Sequence, residues 1–280
     1  MHFGLFGINN GACSDPAIMM AVSRQAEARS FESVWTGEHV VLPDPQMPPS
    51  PAPPLMNMVH PPVALAYIAG CTQTLKLGTG ITLLAQRNPV VLAKEMAGLD
   101  FVSGGRLIMG IGAGYLKAEF DALGIDFSSR GARSDECIDV MRELWTAENP
   151  TFEGRFTQFA GIQSRPQPVS LGGPPIVVGG TSDAALKRAV TRCQGWYGFA
   201  LNVEQTKNCI DRLAAMTERY SRPDTLGPLE ISLSPRGRLD EESLTAFQDM
   251  GVHRLILMQS GQTGDALLQF VDDTADTFIR

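Results

Sequence analysis

Eight short apolar runs, each followed by a segment of helical character, fill this chain almost from end to end. Strand signals fall at residues 2–8, 33–36, 75–84, 107–112, 175–179, 196–200, 229–233 and 254–258. Helix signals fall between them at 17–30, 61–72, 89–103, 130–147, 182–193, 203–220, 240–250 and 264–279. Regular alternation of strand and helix specifies parallel strands joined by helical crossovers. Eight such units in 280 residues fit a closed (β/α)8 barrel better than an open sheet. An open dinucleotide-binding sheet would carry GxGxxG in its first strand–helix turn. Here the turn after residues 2–8 reads INNGACSD.

Local signals support this order. Asp15-Pro16 supplies an N-cap and a proline for the first helical position. Ile138, Met141, Leu144 and Trp145 recur at core-facing helical spacing within 130–147. Residues 75–114 form a complete βαβ unit whose first strand carries Gly78 and Gly80 in its interior. Glycine weakens a strand there and marks a bulge or a close approach. Two segments are longer than simple connections. Residues 41–62 hold nine of the 19 prolines and follow a strand's C-terminal end, the catalytic face of such barrels, so an active-site wall or lid is expected. Residues 148–174 contain TFEGRFTQFAGI, which reads as a small hairpin starting at the opposite face.

Composition narrows the partners. With 44% hydrophobic and 19% charged residues the chain is globular, and one domain over 1–280 is expected. A net charge of −7 without basic runs argues against nucleic acid and membrane surfaces, leaving a small-molecule substrate. Five scattered cysteines show no metal or disulfide spacing and are expected to be reduced and mostly buried. The start MHFGLFGINN lacks a basic n-region and a cleavage site, and no apolar run approaches the ~18 residues of a membrane span. The expected location is therefore the cytoplasm.

Four places carry candidate chemistry. Glu38 and His39 lie just past the second strand, where a histidine can act as general base or orient a cofactor. Gly78-Thr79-Gly80-Ile81 offers either backbone support for a planar ring or close packing inside the barrel. Gly110-Ile111-Gly112-Ala113-Gly114 would open a rim of bare backbone at the end of the fourth strand. Gly179-Gly180-Thr181-Ser182 joins the fifth strand to a helix N-terminus, a phosphate site unless Ser182 or Asp183 merely caps that helix. Lys187, Arg188 and Arg192 follow on this helix and offer either a basic path or a solvated face. Metal-binding spacings, a GxSxG elbow and a P-loop are absent, and Lys94 reads as one of a solvated pair with Glu95.

Taken together, Thr36-Gly37-Glu38-His39, Leu77 to Ile81, Arg87-Asn88-Pro89 through Glu95, Ser103 to Leu107, Gly110 to Gly114, Pro175 to Gly180 and Gly195-Trp196 resemble the bacterial luciferase-like monooxygenase superfamily. Within it, the chain looks similar to the coenzyme F420-dependent branch. The resemblance covers essentially the whole chain and implies a luciferase-like TIM barrel with the cofactor ring at its C-terminal mouth. It implies a non-proline cis peptide at Gly80–Ile81 beneath the ring, with Thr79, Gly80 and Ile81 as ring contacts. Ala113, Gly114 and the pocket-lining Tyr115 would stand near the ring. Gly179, Gly180 and Thr181 would meet the phosphate, and Glu38 and His39 would be the acid–histidine pair. One departure counts against a sugar-phosphate substrate: Tyr115 stands where that group of dehydrogenases has a glutamate. The implied activity is hydride transfer between coenzyme F420 and a small organic substrate, in a homodimer. The alternatives are an FMN-dependent monooxygenase and a flavin- or deazaflavin-binding protein without turnover.

Overall fold

The computed structural model describes residues 1–259 and 261–279; Ser260 and Arg280 lie outside the described residues. In chain order the elements are β1 (His2–Phe6), α1 (Pro16–Ala28), β2 (Ser33–Thr36), α2 (Pro61–Cys71), β3 (Lys76–Thr79), β4 (Thr82–Leu83), α3 (Pro89–Ser103), β5 (Leu107–Gly112), α4 (Lys117–Ala122) and α5 (Arg130–Thr146). There follow β6 (Phe152–Glu153), β7 (Gln158–Phe159), β8 (Ile176–Gly179), α6 (Asp183–Arg192), β9 (Gly195–Leu201), α7 (Val203–Tyr220), β10 (Glu230–Pro235), α8 (Glu241–Asp249), β11 (Arg254–Met258) and α9 (Gly264–Phe278).

The strand pairings run β3-β2-β1-β11-β10-β9-β8-β5-β4, and β3 also pairs with β5, which closes the ring. Every pairing in this ring is parallel. β4 continues β3 after an interruption, so the barrel has eight staves, as the sequence predicts. Helix starts follow the expected chemistry. Asp15 accepts from the amides of Ala17 and Ile18 ahead of α1, and Asn88 accepts from Val90 and Val91 ahead of α3, each with proline as the first helical residue. Gly104 ends α3 in the left-handed region at φ 68°.

Two corrections concern the elements. Residues 75–84 are not one strand: they are β3, a cis peptide at Gly80–Ile81, β4 and the start of a 3-10 turn over Leu84–Gln86. The strand expected over 2–8 stops at Phe6, because Gly7 turns away at φ 86°. The hairpin is present as antiparallel β6 and β7. Glu136 of α5 accepts from the amides of Arg155 and Phe156 and pins the hairpin against that helix. The segment returns to Ser170, whose amide and hydroxyl donate to the buried carboxylate of Asp100 near the end of α3.

Trp35, Ile108, Val177, Tyr197 and Ile256 fill the barrel interior, with Phe6 and Ile81 packed against them. A larger apolar layer lies between staves and helices. At the N-terminal end of the barrel the guanidinium of Arg254, 2% exposed, is held by Glu32 at 2.8 Å, by Ser232 at 2.9 Å and by Glu230. Lys76 adds a second cation on Glu32 at 2.9 Å. All five cysteines are free, and four of them are buried. No helix among the described residues is long and apolar enough to cross a membrane.

Candidate active site at the barrel mouth

The C-terminal ends of β2, β3 and β5 bring the first candidates together. Beyond β2, Gly37 is clamped by the fully buried Asn9, whose side chain accepts from the Gly37 amide at 2.9 Å and donates to its carbonyl at 2.9 Å. The same Asn9 amide donates to Val59 O, and Val59 N donates back to Asn9 O at 2.8 Å. One side chain thereby fixes both the departure and the return of the proline-rich loop around Glu38 and His39.

Glu38 is buried, and one of its oxygens accepts from Arg87 Nη2 at 2.6 Å while the other has no hydrogen-bond partner. Burial pushes its carboxyl up, Arg87 pulls against that, and the nearby Glu119 carboxylate adds to the rise. Arg87 Nη2 also lies 2.8 Å from His60 Nε2. A guanidinium can only donate, so His60 accepts there as neutral imidazole. Burial and Arg87 hold the His60 pKa down accordingly.

His39 stands beside this pair. Its amide donates to the Met58 sulfur at 3.2 Å, its Nδ1 lies 3.3 Å from Glu119 Oε1, and its ring meets Tyr115 edge-on with centroids 6.1 Å apart. Tyr115 is half exposed; burial and Glu119 raise its pKa.

The glycines have a different purpose from a bare rim. A Cβ on Gly78 would lie 2.2 Å from the Trp35 ring, so the close-packing alternative holds at that position. A Cβ on Gly110 would strike Thr79 O at 1.8 Å, and one on Gly112 would strike Ile81 Cδ1 at 1.9 Å. A Cβ on Gly179 would lie 3.0 Å from Ile81 Cγ2. These three glycines make room for the turn between β3 and β4. Thr79 Oγ1 donates to Gly110 O at 2.7 Å, and Gly80 N donates to Thr36 O at 2.8 Å. Ala113 and Gly114 follow β5, and Gly114, at φ 83°, packs under the Phe120 ring.

Gly180 and Thr181 are exposed at the rim of β8, with Gly180 at φ 107° and its carbonyl accepting from Trp196 Nε1 at 2.8 Å. Ser182 does cap α6, accepting from Ala185 N at 3.3 Å. Asp183 is turned outward to Arg212 at 2.7 Å, so it does not oppose an anion at the helix start. Of the two alternatives for Lys187, Arg188 and Arg192 on α6, a free basic path is not what the structure has. Arg188 pairs with Asp135 at 2.8 Å, Arg192 with Asp139 at 2.6 Å, and Lys187 lies over the Tyr220 ring. Lys94 and Glu95 also part company: Lys94 donates to Arg165 O, and Glu95 faces Arg87 at 3.6 Å.

Sequence reasoning missed Asn9, Arg87 and Glu119 as parts of the site. Arg87 lay in a quoted motif without a role; the other two carried no local signal. A cavity of about 680 Å³ lies between the start of α3, α5 and the hairpin, and it is lined by none of the sequence-predicted site residues. Of its polar groups, Asn88 caps α3 and Glu136 holds the hairpin, while Gln86 Oε1 and Arg87 Nε, buried without partners, belong to residues whose other atoms join the Glu38–Glu119 cluster at the mouth. The mouth, where Thr36 Oγ1, Thr82 Oγ1 and one Glu38 oxygen are buried without partners, is the better candidate.

The chain belongs to the luciferase-like monooxygenase family, whose model matches residues 1–250. It is 24% identical over 98% of its length to an uncharacterized protein of Mycobacterium tuberculosis, and covers 98% of that protein. It is 32% identical over 161 residues to the FMNH(2)-dependent dimethylsulfone monooxygenase of Pseudomonas putida, covering 56% of this chain and 44% of that one. Its fold superposes on an F420-dependent secondary alcohol dehydrogenase in complex with an F420-acetone adduct. The TM-score is 0.78 at 16% identity, over 98% of this chain and 97% of the other.

Proposed function

We propose that this luciferase-like oxidoreductase moves a hydride between coenzyme F420 and a small, uncharged organic substrate. The observation that carries the reading is His39, held at the mouth between Glu119 and Tyr115 and next to the buried Glu38–Arg87 pair. Groups with paired, environment-tuned neighbours in such a position suit proton handling. The residues present fit a planar, polar-edged ring with a phosphate tail. Thr36 and Thr82, on either side of the β3–β4 turn, hold buried hydroxyls without partners, and Gly180 and Thr181 leave backbone open before an α6 start that Asp183 does not block.

Coenzyme F420, when bound, supplies or takes up the hydride. The chain's own contribution is to hold and shield. Thr79, Gly80 and Ile81 support the ring, with Ala113, Gly114 and Tyr115 at its edge, while Gly179, Gly180 and Thr181 take the phosphate. His39 holds or moves the proton at the substrate oxygen, and Glu38 with Arg87 fixes the segment that carries it. Val40, Val41, Tyr115 and Phe199 present exposed apolar surface on the mouth loops and strand ends, which favours an apolar substrate.

The preference for F420 over FMN rests on the motif resemblance, since the fold itself is shared by an F420-dependent dehydrogenase and by a monooxygenase at the same TM-score of 0.78. The chain is also proposed to work as a homodimer. Val63 and Tyr67 on α2 continue with Val91, Phe101 and Val102 on α3 as exposed apolar surface, and Gly70 and Gly98 leave open space on the same helices.

Anaerobic incubation with reduced F420 and a panel of ketones and aldehydes tests the activity. Acceptor reduction is expected, with a loss of about 10²-fold or more in His39→Ala. Reduction that His39→Ala leaves untouched removes the role given to His39. Oxygen uptake with reduced FMN alone moves the chain to the monooxygenase reading, and cofactor binding without turnover moves it to the carrier reading.

A further inference from the structure

We propose that Glu119 is a positioning residue for His39, fixing the imidazole with its proton on Nδ1 so that Nε2 is free for the substrate. This rests on the reading of His39 as the proton-handling group. Glu119 is 1% exposed and stands on the six-residue α4. Its Oε1 accepts from Val40 N at 2.9 Å and lies 3.3 Å from His39 Nδ1, and its Oε2 accepts from Gln86 Nε2 at 3.4 Å. The nearby cation, Arg87, is committed to Glu38 and His60.

A carboxylate taken out of water needs donors in place of the solvent. An ionised carboxylate can only accept, so the contact with His39 is attractive only when Nδ1 carries hydrogen. His39 Nδ1 is itself buried and has no hydrogen-bond partner in this conformation. At 3.3 Å from Glu119 Oε1, Nδ1 is within hydrogen-bonding distance, so a turn of the ring is enough to align that bond in the unliganded protein. Around His39, Glu119 faces it from α4, Tyr115 from the loop after β5 and Met58 from the proline-rich loop, with Glu38, Arg87 and His60 as the adjoining cluster. Fixing one nitrogen decides which one does chemistry.

The test is nitrogen-15 NMR of histidine-labelled, unliganded protein at alkaline pH, with His39 assigned by its loss in His39→Gln. The chain has four histidines, so the spectrum is simple. The expected wild-type pattern has the proton on Nδ1. Glu119→Gln keeps that pattern, because Val40 N–H holds the amide oxygen on the His39 side and Gln86 can turn its own free oxygen toward the new NH₂. Glu119→Leu moves the proton to Nε2, the tautomer that free histidine favours in water. In turnover, kcat falls about tenfold or more for Glu119→Leu and KM changes little, while Glu119→Gln keeps most of the rate. A wild-type proton on Nε2 overturns the proposal, and this result needs no folded variant. An unchanged tautomer in folded Glu119→Leu overturns it equally. Because the spectra are taken without cofactor, they stand whichever cofactor the enzyme uses.

Discussion

Gly78 and Arg87 show how single residues set this site. Gly78 lies against the face of Trp35, which fills the barrel under the mouth, and the ring has no room to retreat among Tyr197, Ile108 and Val177. Gly78→Ala is therefore expected to destabilise the protein by about 1–3 kcal/mol, the usual cost of overpacking a core, read by chemical denaturation. Arg87 is the partner that makes a buried Glu38 tolerable. Removing it in Arg87→Met leaves the carboxylate unpaired, at a cost of about 3–5 kcal/mol at neutral pH. The pH dependence follows from the raised pKa of Glu38. A carboxyl raised on folding adds stability that is present in full below its ordinary 4.5 and lost as pH rises through the folded value. The gap between Arg87→Met and wild type should thus narrow on acidification, when Glu38 becomes neutral; a gap independent of pH would contradict this account.

At the scale of elements, most of the fold was legible because strand and helix signals are local. Apolar runs, Asp15-Pro16, Asn88-Pro89 and Gly104 all act within a few residues. The β3–β4 break was not legible as a boundary, since Leu77 to Leu84 reads as continuous strand but for its glycines. Those glycines did signal an anomaly, though Gly78 answers to Trp35 of the neighbouring stave, which no window on the sequence connects to it. Asn9, Arg87 and Glu119 stayed hidden for the same reason: their partners lie 28, 49 and 79 residues away. The helix pair α2 and α3 carries the element-scale prediction. If their exposed apolar faces meet in a second copy, Phe101→Asp should shift the protein to monomer in sedimentation while leaving its thermal unfolding close to wild type. A wild-type protein that sediments as a monomer would remove the dimer.

For the whole molecule, the two barrel ends divide the work. The base is closed by a charge cluster of Arg254, Glu32, Glu230 and Lys76, while the mouth keeps unpaired polar groups. Despite its desolvation, Glu32 is brought by Arg254 and Lys76 to a pKa of about 2 from an ordinary 4.5. A carboxyl lowered on folding adds stability present above 4.5 and lost as pH falls toward about 2, here about 3 kcal/mol. Glu32→Gln should be less stable at neutral pH by an amount of that order and should show a flatter acid limb. Convergence of the two proteins only below pH 4.5 is the expected signature, and parallel curves down to pH 2 would contradict it.

The central claim is that the mouth is built for a deazaflavin. Its most direct test is a parallel titration of the purified protein with coenzyme F420 and with FMN, followed by ligand fluorescence. The account predicts saturable F420 binding at least about tenfold tighter than FMN, a difference of about 1.4 kcal/mol. FMN binding as tight or tighter would contradict it.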